Sequence, residues 1–67
     1  MAWKLEDWSV AIDQIIHDLK QSPNRSQQRT IFSQWRARLE GPPTLLQAYQ
    51  VDMIMREVQR RLRETPS

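Results

Sequence analysis

Sixty-seven residues with no cysteine, one glycine, 39% hydrophobic residues and a formal charge of +2 exclude a two-domain enzyme, a disulfide framework and a thiolate metal site. A single core below about 70–80 residues rarely supplies more than about 3–5 kcal/mol, so such a chain depends on close helix packing or on a partner. Its charge is uneven. Residues 1–20 carry two lysines against four acids, a net of −2, whereas residues 21–67 carry eight arginines against four acids, a net of +4.

No apolar run approaches the roughly 20 residues that span a bilayer. Residues 1–7 hold Glu6 and Asp7 where a signal or transit peptide would be basic. The expectation is therefore one soluble, cytoplasmic helical domain over residues 1–67. Three tryptophans argue against disorder.

The first predicted helix covers residues 5–20. Leu5, Trp8, Ala11, Ile12, Ile15, Ile16 and Leu19 recur at three- and four-residue steps on one face. Glu6 and Asp7 lie in its first turn, where carboxylates complement the helix dipole. Trp3 precedes the helix off its apolar face and is expected to fold back over the bundle. A second helix is predicted over residues 24–39, with Gln28, Ile31, Phe32, Trp35 and Leu39 on one stripe and Arg25, Arg29 and Arg36 on one flank. Either Pro23 opens it behind a Ser22 cap, or Asn24 caps it with Gln27 three residues on. Gly41 is a candidate left-handed residue after its end, and Pro42-Pro43 forbids continuation.

The third predicted helix covers residues 44–63, with Thr44 as N-cap and Gln47 completing a capping box. It has two apolar stripes. Leu45, Leu46, Tyr49 and Met53 form one; Ala48, Val51, Met55, Val58 and Leu62 form a nearly opposite one, spaced like a coiled-coil seam, with Ile54 at its edge. No run alternates with period two, so strands are not expected. The fold class is all-α, a compact three-helix bundle assembling as a helical dimer.

On this pattern the first two helices cover the stripe of Leu45, Leu46, Tyr49 and Met53, leaving Val51, Met55, Val58 and Leu62 for a second copy or another protein's helix. Arg56, Arg60, Arg61 and Arg63 flank that seam and would select an acidic rim. The expected function is a small non-enzymatic adaptor or regulatory module acting through its last helix, with self-association preferred over a monomer. The alternative is nucleic-acid binding through Arg25, Arg29, Arg36, Arg60 and Arg63. Against it, Asp52–Arg56, Glu57–Arg61 and Arg60–Glu64 are spaced to pair within the helix, and the proline-containing joint at 40–44 does not suit a helix-turn-helix. Aromatics that could stack on bases reduce to Trp3 and Tyr49.

Other chemistry is poorly supported. His17, the only histidine, lies on the polar face near Asp13 and Asp18 and reads as a solvated ion pair. Ser9, Ser22, Ser26, Ser33 and Ser67 read as caps and surface, and Glu6, Asp7, Asp13 and Asp18 as dipole partners and solubilisers. One glycine cannot form a glycine-rich phosphate loop. Acids interspersed with the arginines dilute a membrane-surface helix. No catalytic centre, cofactor, metal, membrane or small-molecule substrate is expected, and no motif of a known family carries over residue by residue.

Overall fold

The computed structural model describes residues 4–22 and 24–64, in the order of a 3-10 turn at Leu5–Trp8, then α1 (Ser9–Lys20), α2 (Arg25–Glu40) and α3 (Ala48–Glu64). Among these residues there is no strand, and the three-helix all-α bundle expected from periodicity is what forms. The first helix is divided because Leu5–Trp8 winds tightly and Trp8, at φ −106° and ψ 14°, breaks the run into α1. The roles expected of Trp3, Pro23 and Ser67 lie outside the described residues.

Asn24 caps α2. Its backbone is extended and its Oδ1 accepts from the Ser26 N–H at 2.8 Å, satisfying one of the donors that a helix start leaves unpaired. The Gln28 amide reaches back to the Ser22 carbonyl at 3.0 Å, which ties the α1–α2 turn to the second helix.

The joint into α3 differs from expectation. Gly41 is extended, at φ −87° and ψ 174°, and the left-handed residue is Leu45, at φ 55°. Gly41 is needed for close approach instead: a Cβ there would meet the Ala37 carbonyl oxygen at 3.0 Å. The Leu45 N–H donates to the Gly41 carbonyl and the Leu46 N–H to the Leu39 carbonyl, each at 2.9 Å. These bonds hold residues 41–47 in a turn through which a helix cannot pass, so α3 starts at Ala48, four residues later than Thr44. Gln47 caps it. The Gln47 N–H donates to the Gln50 side-chain oxygen at 2.9 Å, the returning half of a capping box.

The core combines all three helices: Ile12, Ile15 and Leu19 from α1, Trp35 and Leu39 from α2, and Val51, Ile54, Met55 and Val58 from α3. Leu5, Trp8, Ile16, Ile31, Phe32, Leu46 and Leu62 pack around it half-buried. α3 touches both members of the α1–α2 hairpin. No polar or charged residue is buried among the described residues, so the core is an apolar cluster, aliphatic but for the Trp35 ring and the Met55 thioether, stabilised by area removed from water and by dispersion.

Ile54 is fully buried at the centre. Truncation of such a residue costs about 2–5 kcal/mol, as much as a core of this size supplies. Ile54→Ala is expected to lose most of its helical circular dichroism at 25 °C in dilute buffer, and retention of a wild-type urea midpoint would contradict this packing.

Candidate functional site

The seam expected to face a partner is the chain's own core. Val51 and Val58 are fully buried and Met55 is 8% exposed, while Leu62 packs half-buried against them. These four residues are therefore not a free docking surface, and a partner could reach them only by opening the bundle. The opposite stripe, assigned from sequence to the hairpin, lies outside. Leu45 is 66%, Tyr49 57% and Met53 42% exposed; only Leu46 turns inward, half-buried against the core. The reason is local. With the helix starting at Ala48, Leu45 and Leu46 belong to the turn, so the first stripe has too few helical positions to pack along.

The arginines separate into two groups. Arg60 holds Glu57 and Glu64, the latter at 2.8 Å. Arg61 donates to Glu57 at 2.9 Å and to Asp13 of α1 at 3.2 Å. Two of the three intrahelical pairs read from the sequence, Glu57–Arg61 and Arg60–Glu64, are present, and Arg61 adds a tie between α1 and α3. The third expected pair is replaced: Asp52 bonds Arg36 of α2 instead of Arg56, and Arg36 also approaches Glu40 at 3.8 Å. Packing α2 against α3 brings Arg36 within reach of Asp52, which sequence spacing alone could not show.

Arg25, Arg29, Arg56 and Arg63 have no ion-pair partner among the described residues. Arg25, Arg29 and Arg63 line an open groove between α2 and α3, with Phe32, Gln28 and Gln59 along it. Of the five arginines expected to meet nucleic acid, three thus converge on one groove, while Arg36 and Arg60 are held by carboxylates.

On the other side of α2, the Trp35 indole N–H donates to Asp18 of α1 at 2.9 Å, and the Arg38 guanidinium lies 4.9 Å from the centre of the Trp35 ring. His17 meets the Gln21 side chain at 2.9 Å rather than a carboxylate, because Asp18 serves Trp35 and Asp13 serves Arg61. Val10, 68% exposed, shares a shallow depression with Asp13, His17, Asp18, Trp35 and Arg38.

Among the described residues no group of three or more histidines, cysteines or acids is arranged to hold a metal ion. No described helix is long and apolar enough to cross a membrane. No protein-family model, curated protein or solved structure matches the chain.

Hydrogen bonds from Arg60, then Arg61, hold the Glu57 carboxyl at about 2, below its ordinary 4.5. The same contact raises Arg60 above its ordinary value. A carboxyl whose folded pKa is depressed stabilises the fold above about pH 4.5 and loses that contribution as the pH falls toward 2. Urea midpoints at pH 7 and pH 2.5 are expected to differ less for Glu57→Gln than for the wild type. An identical loss in both proteins would show that Glu57 is not held by the two arginines.

Proposed function

We propose that this chain is a small non-enzymatic interaction module of adaptor or regulatory type, acting in the cytoplasm as a self-associating helical bundle. The seam of α3 forms the core of each copy, and the docking surface is the outer stripe of Leu45, Tyr49 and Met53. What carries the reading is that the four large apolar residues most exposed among those described fall into two groups with opposite electrostatic surroundings. Tyr49 and Met53 stand one to two turns before Arg56 on α3. Val10 stands in a depression with Asp13 and Asp18 on its α1 side and Arg38 on its α2 side.

An apolar stripe followed by Arg56 and an apolar depression whose α1 side is acidic are complementary, so the occupant of the stripe is the α1 face of a second copy. Steering by unlike charge raises the encounter rate and fixes register, while the apolar contact supplies the affinity. Leu45 supports the same surface. A left-handed conformation at a non-glycine residue costs about 1–2 kcal/mol, and this leucine gains little burial within its own chain. Such strained, exposed positions are found preferentially at binding surfaces.

Sedimentation equilibrium tests this directly. At about 100 μM the wild type is expected to show twice its 8.1 kDa mass, and Tyr49→Asp/Met53→Asp to sediment as one copy with unchanged circular dichroism. Val10→Asp is expected to have the same effect from the other side. A wild type that stays at 8.1 kDa, or a folded double variant that still pairs, would overturn the reading.

A further inference from the structure

The groove between α2 and α3 has a composition that the fold does not require. Three other arginines, Arg36, Arg60 and Arg61, are matched to acids across and along helices. Here Arg25 and Arg29 are one turn apart on α2, a like-charge spacing that costs about 0.2–0.5 kcal/mol in a helix, and no carboxylate lies among the groove's lining residues. Arg63 faces them from α3, and Arg56 lies two turns before Arg63 on the same side of that helix.

The two helices are antiparallel, since Arg36 pairs with Asp52 at one end and Arg25 meets Arg63 across the groove at the other. The unmatched guanidiniums are therefore spread over roughly 10 Å of helix rather than focused on one point. A single small anion would not span them; a chain of phosphates would. The groove also offers the half-buried ring of Phe32 and the exposed amide of Gln59. An aromatic face can stack a base, and an amide can both donate to and accept from one. The carboxylates of an acidic peptide would use the guanidiniums but leave this ring to a separate apolar side chain, whereas each nucleotide supplies both a phosphate and a π-face.

We propose that the α2–α3 groove binds single-stranded nucleic acid, with Arg25, Arg29, Arg56 and Arg63 on successive phosphates and Phe32 against a base. The groove is separate from the docking stripe of Leu45, Tyr49 and Met53, so its test does not depend on the oligomeric state. Guanidinium suits this role because its planar fork binds phosphate oxygens in pairs. Contacts of this type position the backbone and carry little sequence information, so binding is expected to tolerate many sequences.

The test is fluorescence anisotropy of a labelled oligodeoxythymidine of about 20 nucleotides, titrated with the full chain. Four phosphate contacts on a single strand give a slope of about −2.8 in log K against log salt, a weakening of about 50-fold between 50 and 200 mM. The variant Arg25→Gln/Arg29→Gln/Arg63→Gln keeps one contact and is expected to weaken only about threefold over that range, from a lower starting affinity. A control with the same change in net charge, Lys4→Gln/Lys20→Gln/Arg38→Gln, removes exposed cations outside the groove and is expected to keep most of the wild-type affinity and slope. Phe32→Leu keeps the apolar contact and is expected to weaken binding several-fold at constant slope. The proposal is overturned if the control loses as much affinity as the groove variant, or if no binding occurs at 50 mM salt. It is equally overturned if polyglutamate or phosphatidylserine vesicles bind the groove as tightly as the oligonucleotide at matched charge.

Discussion

Everything in this molecule depends on the burial of one side of α3 between α1 and α2. Val51, Ile54, Met55 and Val58 supply four of the nine residues buried among those described, and both members of the hairpin touch α3. A 67-residue chain without cysteine has little other means of offsetting its conformational entropy. The α1–α2 hairpin alone would leave Ile12, Ile15, Leu19, Trp35 and Leu39 open along one edge. Closing that edge fixes which side of α3 faces inward, and hence which residues remain outside to meet a partner.

Electrostatics follow from that orientation. Once α3 is seated, Asp52 faces Arg36 and Arg61 reaches Asp13, so two ion pairs connect helices that periodicity alone would treat separately. Exposed pairs of this kind contribute little to stability. Their larger consequence is to divide the arginines into matched and unmatched groups. Arg36, Arg60 and Arg61 lie against acids, whereas Arg25, Arg29 and Arg63, which have none, line the α2–α3 groove. The acids of α1 remain on the opposite side, beside Val10. A formal charge of +2 thus becomes a polarised surface.

Helix number, helix order and the inward faces of α1 and α2 were legible in the sequence, because apolar residues at three- and four-residue steps leave little choice of face. The Glu57–Arg61 and Arg60–Glu64 pairs were legible for the same reason, being local, while the Asn24 cap was one of two starts that the sequence left open. The orientation of α3 was not. Its seam spacing of three and four residues describes a coiled-coil edge and a bundle core equally well, and only the start of the helix distinguishes them. That start depends on the turn at 41–47, where Leu45 rather than Gly41 takes the left-handed conformation. Partners for Arg36 and Trp35 were also hidden, since Asp52 and Asp18 come from other helices. The signal available in advance was the solitary stripe of Leu45, Tyr49 and Met53, which is too short to cover a hairpin.

Whether the α3 seam is the core of each separate copy is answered most directly by native-state hydrogen exchange across a dilution series. Exchange from a core that belongs to the single chain reports global unfolding, and once self-association through the outer stripe is removed it does not depend on protein concentration. In Tyr49→Asp/Met53→Asp, which does not pair through that stripe, the Val51, Ile54, Met55 and Val58 amides are expected to be the slowest in the chain and to keep the same rates from about 5 to 200 μM. Protection of these four amides that disappears on dilution while α1 and α2 remain protected would place the seam in an interface between copies and contradict the account.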